Sequence, residues 1–267
     1  MNIALCFCIR NCELYLPSLF NNIQQIKTLE HNVYCIFVYD NCSDNSAILL
    51  KNYQQENTNV IVQEIVNESG NRTVRIATAR NVCLTILYQL PSIQYHMMID
   101  CDEVRTSPWN IQVIDNYLRN WDHDDWDSIS FNHSEYYDIW ALVFEDFKHH
   151  CWGFGNSSRD VIKIMANRLK YILNHSITNS INVLSAFNGF AIYKTDKFKD
   201  LYYNGLYDNI RPLFTDEERM LTIDAFKRYN LDVTIDHDQI ECCEHVFYHL
   251  HAIQQGCKIK ISKFTIV

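Results

Sequence analysis

The chain has 267 residues, 48% of them hydrophobic, with 32 acidic against 23 basic side chains and a formal charge of −9 at pH 7. That is enough apolar material for one large or two small cores, and it excludes a disordered chain. The acidic balance argues against a nucleic-acid partner, which would need a basic face to neutralise phosphates, so an anionic ligand would more reasonably arrive with its own metal. Eleven cysteines are an odd number in a chain too large to need staples; free thiols in a reducing compartment fit better than a disulfide framework, and zinc is not expected. The chain runs from Met1 directly into an apolar segment with no basic leader, and it has no apolar stretch of the roughly 18 residues a membrane span requires. These features predict a soluble, cytosolic protein.

Ile3 to Ile9 is a near-continuous apolar run, as in a parallel strand covered on both faces, and Arg10-Asn11 closes it. From Glu13 to Leu29 apolar residues recur at helical spacing, with Pro17 tolerable only in the first turn. Tyr34 to Tyr39 predicts a second strand ending in Asp40-Asn41-Cys42-Ser43-Asp44, with Ser43 as cap of a helix to about Gln55. Val60 to Ile65 predicts a third strand. The helix that follows carries Arg72, Ile76 and Arg80 on one stripe, so two guanidinium groups can face one ligand.

A fourth apolar run, Tyr95 to Ile99, ends abruptly in Asp100-Cys101-Asp102. If the strand continued through both carboxylates they would share a face, and two such groups suit a hard divalent cation with open positions for a diphosphate. Asp-x-Asp is common in so acidic a chain. Asp122-His123-Asp124, Asp125-Trp126-Asp127 and Asp236-His237-Asp238 are its rivals, the last being the main one because a weaker strand, Leu231 to Ile235, precedes it. Three βα units followed by the acidic strand predict a doubly wound, Rossmann-like half, in which Arg10, Asp40 and Asp100 lie beyond the carboxyl ends of the strands. No glycine-rich phosphate loop is present.

Taken together, Ile9-Arg10-Asn11 with Leu16-Pro17, Asp40 to Asp44, Ala77-Thr78-Ala79-Arg80-Asn81, Asp100-Cys101-Asp102, Ala186 to Tyr193 and Cys243-Glu244-His245-Val246 resemble a nucleotide-sugar-dependent glycosyltransferase of the GT-A fold. The last two segments are most similar to glycosyltransferases encoded by large DNA viruses, which would place the protein in host cytoplasm. The resemblance implies one α/β domain over residues 1–267, with a nucleotide-sugar-binding half (1–105) and a mixed sheet continuing into an acceptor-binding half (106–267). It implies a nucleotide-sugar donor, a UDP-sugar first, a glycan or glycoconjugate acceptor, and a divalent metal, manganese before magnesium. Asp40 would contact the base, Asp100 the ribose or the metal through water, and Asp102 the metal directly. Arg10, Arg72 and Arg80 would lie near the nucleotide, although Arg80 could equally form a salt bridge to Asp40 or Asp100.

Beyond Asp102 the expectations are a helix over Trp109 to Leu118, a short strand at Ser128 to Phe131, an aromatic strand over Tyr136 to Leu142, and a loop at His149 to Gly155 in which Trp152 could meet a sugar. Trp140 reads as core. Asn188-Gly189-Phe190 would open a strand, the glycine letting substrate approach the backbone. Asp216-Glu217-Glu218 would begin a helix, and Glu244 to Gln255 another, capped by Gly256. In inverting relatives an acidic pair begins that last helix and supplies the base. Here the pair is Glu244-His245, with Glu244 assigned as base and His245 as its partner. Two rivals remain: an aspartate-nucleophile phosphohydrolase, whose Asp-x-Asp-x-Val motif normally follows the first strand, and an inactive sugar-binding module.

Overall fold

A computed structural model describes residues 1–103, 105–119, 125–133, 136–148, 154–155, 159–235 and 238–267. Asp122 to Asp124, His149 to Gly153, Asp236 and His237, all singled out from the sequence, lie outside them. The first strands are β1 (Asn2–Ile9), β2 (Asn32–Asp40), β3 (Val60–Ile65) and β4 (Tyr95–Asp100), connected by helices α1 (Leu16–Lys27), α2 (Ser46–Glu56) and α3 (Arg72–Leu87). After β4 come α4 (Ile111–Arg119), β5 (Ser128–Asn132), a 3-10 turn (Ile139–Ala141), β6 (Phe154–Gly155), α5 (Arg159–His175), β7 (Ser180–Val183) and β8 (Phe190–Lys194). The chain closes with α6 (Tyr207–Ile210), α7 (Asp216–Lys227), β9 (Thr234–Ile235), α8 (Glu244–Gln254) and β10 (Ile259–Thr265).

Eight strands form one mixed sheet in the order β3-β2-β1-β4-β8-β5-β10-β7. The first four are mutually parallel; β8 is antiparallel to both β4 and β5, β10 runs parallel to β5, and β7 closes the edge antiparallel to β10. The α/β class and the mixed sheet beyond a doubly wound half are as expected from the sequence. Strand alternation divides the core. Ile3, Leu5, Phe7 and Ile9 face a layer with Leu16, Leu19 and Ile23 of α1 and Ile114 of α4, whereas Ala4 and Cys6 face Ala77, Cys83 and Leu84 of α3, Met165 and Leu169 of α5 and Val246 and Tyr248 of α8. No helix among the described residues is long and apolar enough to cross a membrane. The ten described cysteines are free thiols, eight of them buried.

Several local expectations are corrected. Ser43 does not cap α2; the Ser46 N–H is met by Asp44 Oδ1 at 3.0 Å. The helix read from Trp109 begins at Ile111. Tyr136 to Leu142 is not a strand but a loop and a 3-10 turn, because its backbone closes on itself, the Ile139 N–H donating to the Tyr137 carbonyl and the Leu142 N–H to the Ile139 carbonyl, while Asp138 is tied to Asn188. Leu231 to Ile235 yields only the two-residue β9, paired with β6.

Gly205 fixes the start of α3 against the second half: Thr73 Oγ1 donates to the Gly205 carbonyl at 2.9 Å, and a Cβ at 205 would lie 2.5 Å from the Thr73 backbone. The clash is with backbone and has no side chain to swing aside. Gly205→Ala is expected to lose about 1–3 kcal/mol, the usual cost of overpacking, read as a lower urea midpoint at unchanged slope.

Candidate active site

The sheet reverses its winding at β1, which lies between β2 and β4, and a crevice opens there beyond the carboxyl ends of the strands. The loops that line it are cross-tied. Asn11 and Asn41 take left-handed backbone (φ 54° and 43°) just past β1 and β2, a conformation asparagine tolerates better than most residues. Asn11 Oδ1 accepts from the Ser43 N–H at 2.8 Å, the Cys12 N–H donates to Ser46 Oγ at 2.8 Å, and the Glu13 N–H donates to Asp44 Oδ2 at 3.0 Å. The polar run after β2 thus holds the two loops together.

The crevice is a cavity of about 720 Å³ whose walls include Arg10, Asp40, Arg72, Arg80, Asp100, Asp102, Glu244 and His245. Every site residue assigned from the sequence is therefore brought to one place. Asp40 is buried, accepts from the Asn67 N–H at 3.2 Å and lies 3.8 Å from Arg10, whose side chain remains half-exposed. The Arg72, Ile76, Arg80 stripe runs from an exposed rim to a buried floor. Asp238, and the described members of the other acidic clusters, do not line this cavity. Asp125 and Asp127 instead pair with Lys258 and Lys194, and Glu218 closes the capping box at the start of α7 and binds Lys148.

Arg80 is the centre of the arrangement. It is 4% exposed, donates through Nη2 to Asp100 Oδ1 at 3.1 Å, and lies with Nε 3.3 Å from Glu244 Oε1. Its guanidinium sits 4.5 Å from the Phe187 ring centre and 5.6 Å from that of Tyr203. Burial alone would lower the Arg80 pKa, but Glu244 and Asp100 outweigh it and hold the group charged. Burial lifts the Asp100 carboxyl to about 6, with Arg80 opposing and Asp102 adding to the rise. The salt bridge to Asp100 anticipated as an alternative is thus present, and a second one to Glu244 accompanies it.

Asp102 is not on the strand, since β4 stops at Asp100. It reaches the cavity from a bend, with Oδ1 accepting the Arg105 N–H at 2.8 Å and Oδ2 3.5 Å from the Tyr137 hydroxyl. Each of these two aspartates therefore keeps an oxygen with at most a long contact. Among the described residues no cluster of three or more His, Cys, Asp or Glu side chains is placed to hold a metal. Two carboxylate oxygens fit a hard cation that completes its shell with phosphate oxygens and water, and they do not fit a closed zinc site.

His245 is buried with neither ring nitrogen hydrogen-bonded, stacked at 3.7 Å on Phe187. Burial, reinforced by Arg80 and His249, pushes its pKa far down, so the imidazole is neutral. Among the cavity residues without a site assignment from the sequence, four bring a ring or a carboxylate. In the sequence Phe187 is only part of a motif, Trp140 reads as core, and Tyr137 and Asp138 fall in an expected strand. The signal that could have found them is the isolated carboxylate following two tyrosines in a segment with no alternation. Gly189 (φ 77°) does permit a close approach, but by Tyr137 and Arg105, whose atoms lie 2.3 and 2.7 Å from where a Cβ would stand.

No family model matches the chain, and no curated protein does. Among solved structures it is similar to S. aureus TarS (residues 1–349) at 14% identity and a TM-score of 0.46, covering 100% of this chain and 59% of that one. The same protein in complex with UDP gives 14% identity, a TM-score of 0.47 and the same coverage. Glucosyl-3-phosphoglycerate synthase from Mycobacterium tuberculosis, in complex with UDP, gives 13% and 0.43, covering 86% of this chain and 67% of that one. The chain thus spans about three-fifths of the TarS chain it matches. Likeness at this level transfers no residue roles, which rest on this chain's own geometry.

Arg80→Met would strand two carboxylates. Breaking a buried pair generally costs about 3–5 kcal/mol, and the lower end is expected because the Asp100 side chain is 34% exposed. Without the cation nothing of that strength opposes the burial that already lifts the Asp100 carboxyl, so the native state binds more protons there and the deficit shrinks as pH falls from 8 to 5. Urea denaturation across that range checks both the size and the sign.

Proposed function

We propose that this chain is a metal-dependent GT-A glycosyltransferase that moves a sugar from a nucleotide diphosphate donor, UDP-linked in the first instance, to a hydroxyl of a glycan or glycoconjugate, with inversion. The observation that carries the reading is the joining, in one cavity at the winding reversal, of Asp40, Asp100 and Asp102 with Arg10, Arg72 and Arg80 and the aromatic faces of Trp140 and Phe187. Its volume lies in the range of about 300–1,000 Å³ usual for small-ligand sites. The order β3-β2-β1-β4 followed by antiparallel β8 agrees with the fold that the sequence motifs suggest.

In this reading Asp40 meets the base beside Arg10. Arg72 at the rim offers charge to phosphate oxygens, and Trp140 and Tyr137 offer ring faces to a sugar. Asp100 and Asp102 would hold manganese or magnesium, which when bound offsets the charge developing on the leaving diphosphate. Glu244 and Asp100 keep Arg80 charged at the floor. An aspartate-nucleophile phosphohydrolase is less well supported, because the acidic motif follows β4 and one Asp100 oxygen is bound by Arg80.

Melting curves with UDP, with and without Mn²⁺, test the proposal. Saturation at about 100 times Kd should add roughly 2.7 kcal/mol of stability. Asp102→Asn keeps an oxygen for the Arg105 N–H and is expected to melt like the parent while losing the metal-dependent part of the shift. The proposal fails if no nucleoside diphosphate moves the melting point in either condition.

A further inference from the structure

The carboxylates of the cavity differ in what holds them. Asp40 lies beside Arg10, Asp100 and Glu244 share Arg80, and Asp102 caps its own turn. Asp138 has no cation among the described residues. It precedes the 3-10 turn and is fixed by a reciprocal pair of bonds with Asn188: the Asn188 N–H donates to Asp138 Oδ2 at 3.2 Å, and the Asp138 N–H donates to Asn188 Oδ1 at 3.4 Å. Asn188 is fully buried, in left-handed backbone (φ 54°), and its Nδ2 donates to the Phe131 carbonyl at 3.0 Å. One Asp138 oxygen is therefore anchored to the acceptor-side strands, and the described residues offer no hydrogen bond to the other, in a residue that forms part of the cavity wall.

We propose that Asp138, and not Glu244, is the general base that deprotonates the acceptor hydroxyl. The inference rests on the glycosyltransferase reading above. In the step, the acceptor oxygen forms its bond to the anomeric carbon while the bond from that carbon to the diphosphate oxygen breaks. The bonding pair leaves on the diphosphate, and the hydroxyl proton passes to Asp138 Oδ1, later to be released to water. Glu244 is the poorer candidate on geometry, because its Oε1 is already engaged by the Arg80 guanidinium at 3.3 Å. The groups around Asp138 favour proton uptake: Asp100 from the end of β4 and Glu244 from the start of α8, against Arg80 on α3 and the Asn188 N–H, with the neutral Tyr136, Tyr137 and Cys243 alongside. Burial first, then Asp100 and Glu244, bring its carboxyl to about 7, where a base operating at neutral pH works best.

The experiment compares UDP release from a panel of UDP-sugars, with water and simple glycosides as acceptors, in the parent, Asp138→Asn and Glu244→Gln, each with Mn²⁺. Asp138→Asn retains an acceptor for the Asn188 N–H. It is expected to lower kcat by roughly a hundredfold or more, the usual range for a base, while its UDP–Mn²⁺ melting shift stays at the parent value. In the parent, kcat should rise with pH along a single limb, and that limb should vanish in Asp138→Asn. Glu244→Gln should keep the limb and lower the melting temperature. Parental turnover in Asp138→Asn, or a pH limb that persists in that variant, overturns the assignment but leaves the donor reading intact. A parent that neither binds UDP nor splits any UDP-sugar overturns both.

Discussion

A guanidinium buried among aromatic rings can remain ionised only if anions meet it, and around Arg80 that requirement organises the site. Arg80 belongs to α3, Asp100 to the end of β4 and Glu244 to the start of α8. Residues separated by 20 and by 164 positions are thereby locked into one cluster, because the cost of leaving any member alone is several kcal/mol. Phe187, from the turn before β8, covers the same guanidinium and stacks on His245. The floor of the cavity is thus a charge cluster sealed by rings, and the two halves of the chain meet on it.

Above that floor the geometry follows from strand order. The winding reverses at β1, so the loops after β1 and β2 diverge from the segment after β4 and leave space between them. The side-chain-to-backbone bonds of Asn11, Asp44 and Ser46 give the loops a fixed shape without a glycine cradle. On the far side the antiparallel β8 brings Asn188 and Gly189 against the 137–138 segment. A residue without a side chain is needed there for Tyr137 and Arg105 to approach, and Arg105, fully buried, places its guanidinium 5.4 Å from the Tyr137 ring centre.

Much of the first half was legible because its signals are local. Apolar runs of β1, β2 and β4 covered on both faces, the helical spacing of α1 and the stripe on α3 each follow from a period that a short window contains. The placing of Asp40 and Asp100 at strand ends needed only the point where each apolar run stops. Tyr136 to Leu142 reads as a strand for the same reason: a short window contains its aromatic content but not the tie between Asp138 and Asn188, 50 residues away, that holds its turn in place. Asp102 was legible as a cavity residue, but by a route the structure does not take, since the strand ends before it and a bend delivers it.

The sequence by itself determined the elements and the winding of the first half, and the gathering of acidic and arginine side chains beyond the strand ends, because periodicity and strand termination are encoded within a few residues. Only the tertiary structure decided which carboxylates are neutralised and which is left without a cation. Arg80 could have paired with Asp40 or Asp100; packing of α8 against α3 gives it Asp100 and Glu244 together, and the pairing of Asp138 with Asn188 leaves that carboxylate without a cation among the described residues. Charge pairing acts over a few ångströms in space and is indifferent to separation along the chain, so no local pattern could have announced it.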